Sequence, residues 1–347
     1  MRRRGRRPGL VFAFCLGAVG AVITGFGGEH RWFLVFVLGM LCFGGAQAAT
    51  LQGRYVAADL APDDRRAQAI ASVVVVGTLG AVFGPLLTPW EKRTGTALGW
   101  NPLIGPFGFA AVLLLVSAFI VWRFLRPDPL ELNGQLDPTA QRVRPLAQVR
   151  QSVGVIRSSD LAPLGLLAMV VAQSTMVAVM TMTPSHMRDH GQADMSAYVI
   201  ALHIAGMYAF APFVGKFVAW LGEVRSIIVS GAVLALGTTV SVVAGYVPAL
   251  IFVGLFLLGL GWNFGLIAGS SLLTGAVPES SRVEVQGTAD LTMSFCGGMA
   301  AFGSGFIKQA WGFHLLADGA AVVAVALLLA AWVRWRLSVR VISSTAR

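Results

Sequence analysis

Apolar runs of about 20 residues, the length that crosses a bilayer as one helix, recur along this chain. They lie at 9–27, 32–53, 68–88, 103–122, 161–183, 196–214, 226–247, 249–273, 285–309 and 313–333. Lipid offers no water to satisfy a free N–H or C=O, so a spanning segment of this kind closes its hydrogen bonds within itself. Ten such runs predict an all-α membrane protein. Composition points the same way: 56% of the 347 residues are hydrophobic and 12% are charged, against about a quarter charged in soluble domains. Mean hydropathy is +0.73. A single water-soluble globule is excluded.

The formal charge of +10 comes from 26 Lys and Arg against 16 Asp and Glu. The cations sit at the ends of the apolar runs, so they read as topology signals, and no nucleic acid is expected. In alternate loops the split is 21 on the side of the termini and 5 on the other, the five being Arg31, Lys92, Arg93, Arg188 and Lys308. This bias predicts a multi-pass protein of the plasma (inner) membrane with both termini cytoplasmic. Cys15, Cys42 and Cys296 all fall inside apolar runs, so neither a disulfide framework nor a metal pair is expected. The sequence has no Walker A pattern, no H-E-x-x-H and no G-x-S-x-G. We therefore expect no enzyme activity, no cofactor and no metal.

One connection is much longer than the others. Residues 123–160 carry Pro127, Pro129, Pro138, Pro145 and six arginines without an apolar span. They divide the spans four and six, and an internal repeat accounts for that. Span two holds Leu38-Gly39 and Gly44-Gly45 and exits through Pro62-Asp-Asp-Arg-Arg66. Span eight holds Leu258-Gly259 and Gly265 and exits through Pro278-Glu-Ser-Ser-Arg282. In the following spans Gln68 and Gly80 are twelve residues apart, as are Gln286 and Gly298. Span two thus matches span eight, an offset of six helices, and two six-helix halves in parallel repeat are a transporter architecture.

With these features the chain resembles a major facilitator superfamily transporter along essentially its whole length. Members carry a basic loop G-x-L-x-D-R-x-G-R-R between helices 2 and 3. Arg3, Gly5, Arg6 and Arg7 match its second half, and Gly215, Phe217 and Gly222 fit the decayed copy between helices 8 and 9, where Ala219 and Trp220 replace the acid and the arginine. The resemblance numbers the spans as family helices 3–12, with helices 1 and 2 lacking from this chain. It implies an incomplete N-terminal bundle at 1–122, a cytoplasmic central loop at 123–160 and a C-terminal six-helix bundle at 161–347. The G-x-x-x-G-P-x-x-G-G pattern of family helix 5 appears as Gly80, Gly84 and Pro85, followed by Thr88 and Pro89. Glycines four apart make a flat face for helix contact, and the proline bends the helix. Drug/proton exporters carry R-x-x-Q-G in helix 4. Here Met40 and Phe43 occupy the arginine and glutamine positions, which argues against antiport through that arginine.

Polar residues within the spans are the site candidates. Asp290 lies five residues into span nine, roughly 8 Å along a helix. At that depth it is either a substrate or coupling group, with protons as the candidate ion, or a helix-start acid favoured by the macrodipole and by Arg282. Gln173 heads a polar stretch in span five that suits a cavity wall. Trp262 and Asn263 pair an aromatic ring with an amide, suited to an amphipathic organic ligand, with interhelical hydrogen bonding as the alternative for Asn263. His203 titrates near neutral pH or packs as a hydrogen-bonded residue. Gln47 makes a similar, weaker case. Asp59 is placed to pair with Arg6 or Arg7 at the end of helix 4, as a latch that alternating access must break; exposed loop charge of little value is the alternative.

The reading is a monomeric secondary transporter that moves a small organic molecule across the bilayer by alternating access, with export of a drug or metabolite favoured over uptake. A truncated, transport-incompetent membrane protein is the rival from another class. Met1 is expected to be an internal methionine of a longer protein, because the basic-loop motif is cut mid-pattern.

Overall fold

The computed structural model describes residues 4–134, 136, 144–191, 195–243 and 247–345. Among the described residues the regular structure is α-helical, with a short 3-10 turn at Asp63–Arg65. The helices are α1 (Arg6–Glu29), α2 (Phe33–Asp59), α3 (Arg66–Ala97), α4 (Gly105–Phe124), α5 (Pro129–Leu132), α6 (Pro145–Ser158), α7 (Ala162–Asp189), α8 (Ser196–Tyr208), α9 (Ala211–Leu221), α10 (Glu223–Val243), α11 (Pro248–Gly275) and α12 (Glu279–Thr345). Among the described residues eight helices are long and apolar enough to cross a membrane. The last of them holds two of the expected spans, divided at Gly312 (φ 86°, ψ 170°). The expected span 68–88 lies in α3, and the long central segment contributes the short helices α5 and α6.

Span six, expected over 196–214, is one membrane-length element, Tyr198–Leu221, with a kink inside it. The kink falls between Tyr208 and Ala211. Pro212 is the cause: its ring occupies the space the carbonyl four residues earlier needs, and it has no N–H to donate. The second half restarts with that proline in its first turn.

By internal contacts the chain forms two compact units. The first comprises Met1–Leu60 and Leu79–Arg144, the second Ala61–Thr78 and Pro145–Arg347, so α3 contributes to both. In the first unit α1 packs on α2 through small residues. A Cβ on Gly20 would stand 2.2 Å from the Phe43 backbone nitrogen, and one on Gly39 would stand 2.4 Å from that of Thr24. In lipid such close backbone approach, with its dispersion contacts, supplies the association energy that water expulsion supplies elsewhere. Large apolar side chains such as Leu113, Phe119 and Trp122 of α4 point outward, as the bilayer requires.

The second unit is built around α11. Every residue from 261 to 274 is buried, so this stretch of the helix has neighbours on all sides. Polar side chains stitch the neighbours to it. Ser230 Oγ donates to the Gly261 carbonyl at 2.8 Å, and the Gln286 amide donates to Thr274 Oγ1 at 3.2 Å.

Candidate functional site

At the start of α1 the sequence offers two arginines for Asp59, and the fold uses Arg6. Its Nε and Nη2 donate to Asp59 Oδ2 at 3.0 and 2.8 Å, and its Nη1 donates to Gln52 Oε1 at 2.9 Å. Both members of the ion pair are fully buried. Arg7 contributes through its backbone instead. The N–H groups of Arg6 and Arg7 donate to the two carboxylate oxygens of Asp128 at 3.0 and 2.8 Å. A carboxylate at a helix N-terminus satisfies orphan donors and complements the macrodipole. Asp128 also caps its own helix α5 by accepting from the Leu130 N–H at 3.0 Å. Asn133 then donates to the Asp59 carbonyl at 2.5 Å, so the segment after α4 folds back onto the ion pair.

Gly5 makes this geometry accessible. Its φ is +94°, and a Cβ there would fall 2.2 Å from Asp128 Oδ2. Gly222 holds the corresponding place in the second repeat, with φ 86° and ψ 155° against 94° and 171° for Gly5. Each glycine immediately precedes a helix, α10 or α1. Where Arg6 follows Gly5, Glu223 follows Gly222, and its Oε1 accepts from Ser271 Oγ of α11 at 2.9 Å. The repeat thus keeps the backbone turn and inverts the charge. Gly215, eight residues before Glu223, meets the 3-10 turn's following helix closely: a Cβ there would stand 2.5 Å from that of Ala71.

Within the second unit the candidates separate into two groups. Trp262 is buried, and its indole N–H donates to Gln173 Oε1 at 2.7 Å. The Tyr208 ring meets Trp262 edge-on at 5.7 Å, at the break between α8 and α9. A half-buried amide and two aromatic rings therefore converge near the middle of their spans. Asp290 is buried on α12. Because that helix begins at Glu279, Asp290 lies roughly 17 Å along it at 1.5 Å per residue, three turns past the helix start. Arg282 pairs with Glu279 at 3.6 Å, one turn away.

The second group faces into helix contacts. Asn263 is fully buried and donates to the Gly206 carbonyl at 3.4 Å; His203, equally buried, bonds through Nδ1 to the Leu255 carbonyl at 2.7 Å. Gln47 is exposed on α2. Among the described residues, a Cβ on Gly80 or Gly84 would meet nothing within 4 Å. The Pro85 side chain lies outside the described residues. One turn earlier, a Cβ on Gly77 would stand 2.8 Å from the Tyr208 ring.

A cluster the sequence reading missed lies at the end of α7. A cavity of about 570 Å³ is lined by Ser185, His186, Asp189, His190, Lys308 and His314, among others. Lys308 donates to Ser185 Oγ at 2.7 Å and Asp189 Oδ2 at 2.5 Å, and His186 stacks on Phe313 at 4.4 Å. The i,i+4 spacing of His186 and His190 was the available signal. Among the described residues no group of three or more His, Cys, Asp or Glu side chains is arranged to hold a metal ion.

Helices of spanning length, a two-unit arrangement and a sequence repeat with matching glycine turns define a polytopic membrane protein of transporter type. The family model described as Major Facilitator Superfamily matches residues 1–302, and the chain belongs to that superfamily. Its members are membrane transporters of small molecules rather than enzymes. The chain is 32% identical over 333 residues to the uncharacterised MFS-type transporter YddS of Bacillus subtilis, covering 94% of this chain and 76% of that protein. It is 29% identical over 317 residues to the riboflavin transporter RfnT of Brucella anthropi, covering 91% and 76%. Among solved structures, the human organic anion transporter MFSD10 superposes with a TM-score of 0.75 at 19% identity, covering 94% of this chain and 77% of that one. FucP in its outward conformation gives 0.73 at 13% identity, covering 96% and 84%. At these identities the structures speak for the fold.

Proposed function

We propose that the chain carries a small organic molecule across the plasma (inner) membrane by alternating access, acting as a monomer with both termini in the cytoplasm and exporting a drug or metabolite. The observation that carries this reading is the Gln173–Trp262–Tyr208 cluster. A polar amide bonded to one of two adjoining aromatic rings at mid-span suits an amphipathic ligand, and the kinked helix beside it is a recurrent feature of transporter binding sites. Asp290 is the coupling residue in this reading, with the proton as its ion, because an ionisable side chain buried within a spanning segment is a functional candidate by default. Asn263 and His203 serve as helix-to-helix ties.

The two transport bundles are residues 1–122 and 161–347, joined by the loop 123–160. The buried Arg6–Asp59 pair, seated by Gly5 and the Arg7 backbone, is a latch that holds α1 to α2 and loosens during the cycle. Gly215 and Gly222 frame the matching turn of the second bundle, while the Gly80, Gly84 and Pro85 motif gives α3 a place to bend. A second reading, uptake of a metabolite, is favoured by the similarity to a riboflavin transporter.

Flux into oriented proteoliposomes tests both readings. Export predicts that cationic dyes or metabolites accumulate in inside-out vesicles under an imposed proton gradient. Riboflavin accumulation in right-side-out vesicles would favour uptake. A folded protein that moves no compound of a broad panel in either orientation would sink the transport reading.

A further inference from the structure

We propose that the Gln173 amide is locked as a hydrogen-bond donor toward the transported molecule, so that this site selects flat aromatic compounds bearing an acceptor such as a ring carbonyl. The inference rests on the reading of Gln173 and Trp262 as substrate-facing.

The polarity follows from the chemistry of the partner. An indole N–H has no lone pair to offer and can only donate. The group 2.7 Å from Trp262 Nε1 is therefore the oxygen of the Gln173 amide, not its nitrogen. With the oxygen engaged, the NH2 group is what remains, and Gln173 is half-buried rather than sealed. Among the described residues the amide nitrogen has no hydrogen-bond partner of its own.

The surrounding residues hold the amide in that sense. Trp262 is buried on α11 and braced edge-on by Tyr208 at 5.7 Å, so its N–H cannot swing away to free the oxygen. Gly77 lets the Tyr208 ring lie against α3. Gly297 of α12 leaves the space the Gln173 stem occupies: a Cβ there would stand 2.8 Å from Cγ and 3.3 Å from Nε2. The site thus sets one fixed donor beside the Trp262 and Tyr208 rings. Discrimination by such a group is strong against a ligand that lacks the complementary atom, because the donor is then desolvated without a partner.

Three isosteric tricyclic probes read this directly: 9-fluorenone, with a carbonyl acceptor; fluorene, with neither group; and carbazole, with an N–H donor. Saturable binding of each is measured to the full chain in lipid nanodiscs, with empty nanodiscs subtracted for partition. One hydrogen bond of ordinary strength predicts fluorenone bound about tenfold more tightly than fluorene or carbazole. In Gln173→Glu the Trp262 N–H still occupies one oxygen and the other can only accept, so carbazole overtakes fluorenone. In Gly297→Ala the added methyl displaces the amide and the fluorenone preference collapses. Saturable binding of all three probes with equal affinity by the unmutated chain would overturn the donor assignment and leave the aromatic site standing. Absence of saturable binding for every probe would overturn the substrate-facing reading of Gln173 and Trp262, and this proposal with it. The probe order in the unmutated chain decides the matter even where a variant does not fold.

Discussion

Asp59→Ala is the most demanding test of how the start of the chain is held together. The substitution removes the acceptor of two Arg6 donors, at 3.0 and 2.8 Å, and leaves the guanidinium in a place where neither side chain of the pair has any exposure. Gln52 still accepts from Nη1 at 2.9 Å, but it brings no charge. An ion pair at the surface contributes about 0–1 kcal/mol. A buried one behaves differently, because breaking it strands a desolvated charge, and the cost is about 3–5 kcal/mol. Asp59→Asn keeps an acceptor and removes only the charge, so its cost falls to about 1.5–3 kcal/mol, the strength of a charged hydrogen bond. Replacing both partners with apolar residues, Arg6→Met with Asp59→Leu, removes the stranded charge as well. The double variant should then be more stable than Asp59→Ala alone, by about 2 kcal/mol or more. Unfolding free energies of the purified protein in mixed micelles, measured across the full mutant cycle, provide the readout. A cost below about 1 kcal/mol for Asp59→Ala, or a double variant no better than the single, would refute the assignment of a buried, mutually dependent pair.

Three further outcomes follow from particular contacts. Gly5→Ala forces a φ of +94° on a residue with a Cβ and drives that atom into the Asp128 carboxylate; strain and the lost cap together should cost about 2–3 kcal/mol, and Gly5→Asn, which tolerates positive φ but not the crowding, should recover only part of it. Asp290→Asn should abolish coupled transport in proteoliposomes while the protein still inserts and folds, whereas unchanged flux and pH dependence would remove Asp290 from the coupling step. Lys308→Met breaks contacts with Ser185 and with an Asp189 side chain that is 54% exposed, so its cost should stay at or below about 1 kcal/mol; a larger loss in the same unfolding assay would mean that the pair is shielded.

The residues of the candidate site divide by the distance over which their partners are found. The basic loop, its decayed copy and the acid at Asp59 were visible as motifs, and the choice of Arg6 over Arg7 was not. That choice depends on Asp128, more than a hundred residues away, taking both backbone N–H groups. Trp262 and Gln173 stood out as polar or amphipathic groups in spans, yet nothing in either span shows that one donates to the other. Asn263 follows Trp262 in sequence and is turned by the helical period onto Gly206 instead. The histidines near the end of α7 gave only an i,i+4 spacing, because the lysine and the third histidine that join them come from beyond residue 300.

Spanning helices are legible in a single sequence because lipid imposes a local condition: each segment must be apolar for its full length and must satisfy its own backbone. The repeat is legible for a related reason, since glycine is the residue that carries a positive φ at little cost, and Gly5 and Gly222 mark the same turn in both halves. Even the kink in the sixth span had a local signal in Pro212. Which helical faces meet is a different kind of question. Gly20 and Gly39 make close backbone contacts, while Gly80 and Gly84, equally small, meet no close neighbour among the described residues. Small size permits approach without naming a partner. Whether Glu223 stands in for an arginine, whether an amide presents its oxygen or its nitrogen, and which acid caps α1 are all decided by atoms that the fold brings together from distant helices. Those contacts are made through space, and only the tertiary structure selects them.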